Sequence, residues 1–175
     1  MIEWVGPLNI VHVVTDNATN FVATRRLISP KYKHINWSPC ATHYLNLIFK
    51  DIGNMDHVAE LVRRASNVTI FVYNHAVLLS WLRKREEWTK IFRPGATRFA
   101  TTFIALKNLR DHKHDLQALV TSKFFVDSRY SRDNKNKVAV SIILDNRLWN
   151  DCLIVVNLMS PLIGYCVLLI VMRDF

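Results

Sequence analysis

The sequence is poor in the residues that interrupt regular structure, with 4 glycines and 5 prolines among 175 residues. Because half of the chain is hydrophobic as well, a collagen-like chain, a low-complexity linker and a disordered tail are all excluded. The length suits one domain with its own core, or one domain and a fragment. We therefore expect a folded chain.

Cysteine is scarce too. The three cysteines, at positions 40, 152 and 166, are too few and too widely spaced for a disulfide framework, and no Cys-x-x-Cys pair offers a zinc knuckle. This usage predicts a reducing, intracellular compartment. The N-terminus lacks a basic region and carries Glu3, which argues against a secretory signal.

Motifs of self-contained enzymes are absent as well. The sequence contains no glycine-rich phosphate loop, no Gly-x-Ser-x-Gly nucleophile motif and no internal repeat. Its carboxylates show no pairing typical of general acid–base work. Neither a hydrolase nor a nucleotide enzyme is indicated, and no small-molecule substrate is implied.

One long uncharged run needs a separate interpretation. Residues 152–172 contain no charge, and a run of that length matches a membrane span. Asn157, Ser160, Pro161 and Gly164 interrupt it, however. We interpret the run as a core helix and expect no membrane partner.

Positive charge is the most marked feature that is present, and it is local. The formal net charge is +9, from 23 Lys and Arg against 14 Asp and Glu. Residues 1–60 are neutral (five against five), residues 61–113 carry +8 (eleven against three) and the remainder carries +1 (seven against six). Such a stretch predicts a polyanionic partner.

Aromatic residues are interleaved with the cations of this stretch, which is typical of proteins that grip a nucleic-acid backbone and stack on bases. The alternative is that the aromatics are core and the charges form a solvated helical face. The aromatics are Trp81, Trp88, Phe92, Phe99 and Phe103, and the cations are Arg83, Lys84, Arg85, Lys90, Arg93, Arg98, Lys107, Arg110 and Lys113.

Hydrophobic periodicity predicts a small α/β piece followed by helices only. The predicted elements are a buried strand (9–15), a helix (18–28), a short strand (34–37), a helix (41–52), a long helix (56–85), a loop at 93–95, a helix (99–112), a polar surface loop or weak helix start (127–137), and helices over 138–144 and from 149 onward. His75 lies on the apolar stripe of the long helix, which predicts a hydrogen-bonded core histidine.

Three residues near the predicted sheet could carry chemistry. Asp16 follows a strand, where open α/β sheets place ligand groups and where a carboxylate can hold Mg²⁺; an ordinary turn and helix cap is the alternative. Cys40 and His43 share one face at the start of a helix and have the spacing of two metal ligands. Because no second pair lies nearby, we favour a structural role for them, packed against the Asp16 strand.

Four motifs, in order and in register, carry a resemblance to a known family. They are VVTDNATNFVATRRL, WSPCATHYLNLIFKDIG, IFVYNH and RPGATRFATTFIALKNL, within residues 2–162. Together they resemble the middle of plant hAT-type transposases, in particular transposase-derived proteins with a BED finger and a domain of unknown function.

The resemblance implies a ribonuclease H-like core, interrupted by a helical insertion, that cuts and joins DNA in the nucleus with Mg²⁺ and three acids. On that basis Asp16 matches the second acid, and Cys40 and His43 match a Cys-x-x-His motif near the active site. Arg98 and Phe99 match a Thr-Arg-Trp element at the entry to the insertion. Phe99 keeps the aromatic face of the family's tryptophan but lacks its indole N–H.

The departures from the family concern activity. Only Glu3 precedes Asp16 as a carboxylate, in a predicted helix, and no third acid is matched. The BED finger and the C-terminal dimerisation region are missing, and residues 163–175 no longer resemble the family. Because two-metal phosphoryl transfer needs carboxylates from several strands, we predict no nuclease activity and no stably bound cofactor. Asp16 would hold Mg²⁺ weakly.

The sequence thus predicts a partial ribonuclease H-like core (1–54), a helical insertion-like region (55–162) and a divergent apolar tail (163–175), helix-dominated overall. The function that follows is a catalytically incomplete, transposon-derived protein that binds DNA at most. The DNA-binding residues would be Arg83, Lys84, Arg85, Arg98, Phe99 and Lys107. The alternative is an interaction module that forms oligomers with itself or with full-length relatives. We also expect unpaired sheet edges and bare apolar faces in the first part.

Overall fold

The computed structural model describes residues 2–16, 18–93 and 99–171. It is dominated by helices and contains one small parallel sheet of two strands in the described residues, which confirms the helix-dominated class. The chain forms two compact units: unit 1, Met1–Ile48 with Cys166–Phe175, and unit 2, Phe49–Tyr165.

Unit 1 is built around a strand–helix–strand segment. Its elements are α1 (Ile2–Val5), a 3₁₀ turn (Pro7–Asn9), β1 (His12–Thr15), α2 (Thr19–Ile28), β2 (Asn36–Pro39) and the first turns of α3 (Ala41–Gly53). The two strands are parallel, with His12 opposite Asn36 and Thr15 opposite Pro39. The crossover through α2 is what a parallel pair requires.

The prediction of a buried first strand is wrong. β1 is shorter than 9–15, because Pro7–Asn9 form a 3₁₀ turn, and its side chains alternate between exposed and half-buried. Val14 is 57% exposed. A parallel strand is buried only when further elements cover both of its faces, and this two-stranded sheet lacks that cover. The expectation of bare apolar faces is confirmed.

The other elements of unit 1 lie close to their predicted positions. Helix α2 begins one residue later than predicted, and α3 begins where predicted and ends one residue later. Strand β2 lies two residues further along than the predicted 34–37. Among residues 2–16 and 18–48 the only buried side chain is that of Ile35.

Unit 2 is helical and holds most of the described core. Its helices are the end of α3, then α4 (Asp56–Tyr73), α5 (Ala76–Arg83), α6 (Phe99–Asp111), α7 (Lys113–Thr121), α8 (Lys123–Val126), α9 (Arg129–Arg132), α10 (Asn134–Leu144) and the part of α11 (Asn146–Val171) up to Tyr165. Helix α10 packs on α4 and α7, and α6 packs on α4. The largest fully buried side chains include those of Trp149, Phe49 and Phe103.

The single long helix predicted over 56–85 is two helices. The chain leaves the helical conformation at His75, which caps α5 with φ −124° and ψ 90°. The His75 Nδ1 lies 2.7 Å from the Phe71 carbonyl oxygen, and its ring packs against Phe71 and Tyr130. The prediction of a hydrogen-bonded histidine on the apolar side is therefore confirmed, although the side chain is half-buried.

The polar segment 127–137 forms helix starts instead of an open loop. The Ser128 hydroxyl accepts the Tyr130 N–H and caps α9, and the Asp133 carboxylate accepts the Lys135 N–H and caps α10. Each cap satisfies a backbone donor that the first helical turn leaves free. Residues 94 and 95 of the predicted loop at 93–95 lie outside the described residues.

The uncharged run that begins at Cys152 lies in α11. Cys152, Val155, Val156 and Met159 are buried, as the core-helix interpretation predicts. Within 2–16, 18–93 and 99–171, no helix combines the length and the hydropathy that a bilayer span needs. The predicted tail 163–175 is described only as far as residue 171, where α11 ends.

Candidate functional site

Asp16 lies directly after β1, at the carboxyl end of the parallel sheet. Its side chain is exposed, and its Oδ1 accepts the Ala18 N–H at 3.3 Å. This is the turn geometry that an aspartate supplies ahead of a helix. Beside it, the Trp37 Nε1–H donates to the Thr15 hydroxyl at 3.0 Å and ties β2 to the end of β1.

Cys40 and His43 are brought to the same edge of the sheet. The Cys40 N–H donates to the Thr15 carbonyl at 2.7 Å, which fixes the start of α3 next to the residue that precedes Asp16. Asp16, Cys40 and His43 then line one open depression of about 690 Å³, together with Ser38, Thr42 and Asn46. The structure thus gathers the three sequence-predicted residues in one place.

This depression has few side chains that could bind a metal ion. The part of the chain that the structure describes contains no group of three or more His, Cys, Asp or Glu side chains placed to hold an ion. Asp16 is the only carboxylate among the described lining residues, whereas two-metal phosphoryl transfer relies on several. The described residues of this depression therefore do not fit a two-metal centre.

The predicted DNA-binding cations fall into three situations. Arg83 and Lys84 lie exposed at the end of α5, and Lys107 lies exposed on α6. Arg85 is engaged inside unit 2, where its Nε donates to the Asp115 carboxylate at 3.0 Å and its guanidinium lies over the Trp81 ring. Arg98 lies outside the described residues, as does the side chain of Phe99.

Most of the interleaved aromatic side chains pack within unit 2. Phe103 is buried, Trp81 stacks on Phe124 with an angle of 12° between the rings, and Trp88 packs edge-on against His112. The core interpretation is correct for Phe103, whereas Trp81 and Trp88 are half-buried and pack on neighbouring rings. Phe92 differs, because its side chain is 49% exposed.

Lys90, Phe92 and Arg93 are site residues that the sequence does not predict. They lie on the extended segment after α5 and line one depression with Tyr73 and Ile104. The available signal was an aromatic residue with a lysine two positions before it and an arginine directly after it, next to Pro94. That pattern was present, but nothing in the sequence distinguished this aromatic from its buried neighbours.

The first part of the chain matches a known domain family. Residues 1–68 match the family described as "Domain of unknown function (DUF659)", a family found in hAT-type transposase-like proteins. The match includes Asp16, Cys40 and His43 and two of the four motifs. Neither the curated proteins nor the solved structures contain a match to this chain.

Proposed function

We propose that this chain is a transposase-related protein that binds DNA without cutting it, through exposed cations of unit 2. The observation that carries the proposal is the set of exposed cations on α5, α6 and the segment between them. Within the described residues none of them takes part in an ion pair. They are Arg83, Lys84, Lys90, Arg93 and Lys107.

Several other cations of unit 2 are held in ion pairs, which leaves them less available for binding DNA. In unit 2, Glu60 pairs with Arg63, Asp145 with Arg64 and Asp115 with Arg85. Cations paired in this way contribute little to the affinity for a polyanion. Unpaired exposed cations neutralise phosphates and release their counterions. Exposed, unpaired cations also occur in the segment 123–137, and we propose that those of α5, α6 and the segment 84–93 are the ones that bind. A DNA-binding role also implies a nuclear location.

The test is fluorescence anisotropy with a labelled DNA duplex, titrated at several salt concentrations. In one variant Lys84, Lys90, Arg93 and Lys107 become alanine. In the matched control, four exposed cations of the segment 123–137 become alanine, so that both variants have the same net charge. The control residues are Lys123, Arg132, Lys135 and Lys137.

We expect wild type and control to bind with affinity that falls steeply as salt rises, and the first variant to lose most of that dependence. Equal loss in both variants would mean that only net charge matters. Absence of binding by the wild type at low salt would refute the proposal.

The second half of the proposal is that DNA is not cut. Asp16 is one exposed carboxylate whose recorded partner is a backbone N–H of its own turn, which supports a role in the local fold. A supercoiled plasmid incubated with the chain and Mg²⁺ or Mn²⁺ should stay intact. Nicking that disappears in Asp16→Ala would contradict this.

A second candidate function is an interaction module that pairs with itself or with full-length relatives. Unit 1 favours it through its large exposed apolar side chains, among them Trp4 at 88% and Leu8 at 89%, because large bare apolar patches mark interaction sites. Sedimentation velocity separates the two functions. A dimer that Trp4→Ser and Leu8→Ser together dissociate, in a chain that does not bind DNA, would favour the module.

A further inference from the structure

The depression around Phe92 is the strongest unassigned feature of unit 2. It has a volume of about 550 Å³ and lies between the segment 90–93, Tyr73 on α4, and Thr101 and Ile104 on α6. The Phe92 ring is 49% exposed and Ile104 is 41% exposed. The depression thus offers an aromatic face and an aliphatic side chain to solvent, in a space large enough for a small planar ligand.

The backbone beneath Phe92 is held on both sides. The Phe92 N–H donates to the Asn108 side-chain oxygen at 2.8 Å, which ties the segment to α6. The preceding residue, Ile91, is buried, and its carbonyl accepts the Tyr73 hydroxyl at 2.8 Å. Because Ile91 is anchored in the core, the ring that follows it is presented on a fixed support.

The charges around the ring have one sign. Lys90 and Arg93 flank Phe92 and are exposed, and neither is in an ion pair within the part of the chain that is described. None of the described lining residues is acidic.

Trp81 and Trp88 do not offer the same arrangement. Each already has an aromatic or imidazole partner within unit 2, Phe124 and His112 respectively. An exposed aromatic face between free cations is the arrangement that proteins use for single strands, because a base stacks on the ring while the cations meet its phosphates. In a duplex the faces of internal bases are already stacked and are not accessible to a side chain.

From this geometry we propose that Phe92 stacks on an unpaired base of single-stranded DNA, while Lys90 and Arg93 contact the flanking phosphates. The inference rests on the proposed DNA-binding function and names the form of DNA that this surface takes. Duplex DNA still binds through phosphate contacts, but gains nothing from the ring.

The experiment compares a labelled oligothymidine with a duplex of equal length, by anisotropy, on the full chain. The variants are Phe92→Ala and Phe92→Trp. The matched control is Phe21→Ala, since Phe21 is another partly exposed phenylalanine, on α2, and no described ring packs against it. Circular dichroism checks that each variant is folded. An oligothymidine with one 5-iodouracil provides a second readout, because that base photocrosslinks to an aromatic ring stacked on it.

We expect Phe92→Ala to weaken single-strand binding about tenfold, to leave duplex binding within about twofold, and to abolish the crosslink, which peptide mapping should place on Phe92. Phe92→Trp should restore single-strand affinity, and Phe21→Ala should change neither affinity. Unchanged single-strand affinity in Phe92→Ala, or a crosslink on another residue, would refute the inference and leave the proposed function intact. If the wild type binds neither probe, both fail. If Phe92→Ala does not fold, Phe92→Trp and the wild-type crosslink decide.

Discussion

The Arg85 guanidinium pairs with the Asp115 carboxylate, its Nε donating to Oδ1 at 3.0 Å across 30 positions of sequence. This pair joins the end of α5 to the first turn of α7. The same guanidinium lies 5.3 Å from the centre of the Trp81 ring. A residue that sequence alone assigns to DNA is therefore part of the protein's own packing.

Replacing Arg85 by alanine should affect stability more than DNA binding. The pair is partly exposed, so we expect a loss of about 1 kcal/mol in unfolding free energy from the ion pair and the ring contact together. Duplex affinity should change by less than about twofold. Lys84→Ala is the matched comparison: it should leave stability unchanged and lower the slope of log K against log salt by about one. Urea unfolding measures the stability of each variant, and fluorescence anisotropy measures its affinity for duplex DNA. A large loss of affinity in Arg85→Ala without destabilisation would contradict this prediction.

Cys152 should be inert as a thiol in the folded protein. Burial, aided by the charge of Asp151, raises its pKa from 9.0 to about 12, and only the thiolate reacts with alkylating agents. In a Cys166→Ser variant at about pH 8, iodoacetamide should label the half-buried Cys40 and leave Cys152 unlabelled until urea is added. Mass spectrometry of the peptides gives the labelled fraction of each cysteine. Equal labelling of both residues without urea would contradict the predicted burial.

The same pKa shift predicts a loss of stability at alkaline pH. The folded state keeps the Cys152 proton that the unfolded state releases above pH 9.0, so this contribution is full below that pH and is lost as the pH rises towards about 12. Urea unfolding of wild type and Cys152→Ala at increasing pH should therefore show the two stabilities converging. A difference that stays constant would argue against the shift.

Asp145 should contribute to stability in the opposite pH range. Hydrogen bonds from the Arg64 side chain and from the Arg147 backbone N–H lower its pKa below the usual 3.8. A carboxylate with a lowered pKa stabilises the folded state above its ordinary pKa, and that contribution is lost as the pH falls through the lowered value. Asp145→Asn should therefore destabilise the protein at neutral pH, and the difference from wild type should shrink in acid. Glu60→Gln is the comparison: Glu60 pairs with Arg63 three positions along the same helix and is more exposed than Asp145. Its pKa is lowered as well, so the same trend should appear with a smaller amplitude.

Limited proteolysis should cut unit 1 before unit 2. Among residues 2–16 and 18–48 only Ile35 is buried, whereas unit 2 holds a continuous core with side chains such as Trp149 and Leu106 fully enclosed. Local opening depends on how many apolar contacts must be broken. A dilute protease should therefore leave a stable fragment that includes most of 49–165. A stable fragment that retains residues 1–48 and has lost the helices of unit 2 would contradict this prediction.

The local elements could be read from the sequence because their signals are local. Helices α2, α3 and α6 follow from apolar spacing, and their observed ends lie within one residue of the predicted ones. The interruption between α4 and α5 at His75 could not be predicted, because the apolar stripe continues unchanged through that position. The exposure of β1 could not be read either, since a β-branched run indicates a strand but does not show what covers its faces.

For the candidate site, too, some features could be predicted from the sequence and others depend on tertiary packing. The neighbourhood of Asp16, Cys40 and His43 was foreseeable, because parallel strands bring their carboxyl ends to one edge. The pairing of Arg85 with Asp115 depends on how α5 meets α7, which no local pattern encodes. The difference between Phe92 and Trp81 also depends on tertiary packing, namely the anchoring of Ile91 and the position of Phe124.

The scarcity of buried side chains among residues 2–16 and 18–48, where only Ile35 is buried, also bears on how long the protein would survive in a cell. Degradation follows the population of locally opened states when opening is fast compared with cleavage, and opening this unit breaks few contacts. Quality-control proteases would then cleave the segment around β1 first, so the cellular half-life of the protein would depend on what covers Trp4, Leu8 and Val14. A bound partner that buries these side chains would raise the protein's abundance without any change in its synthesis.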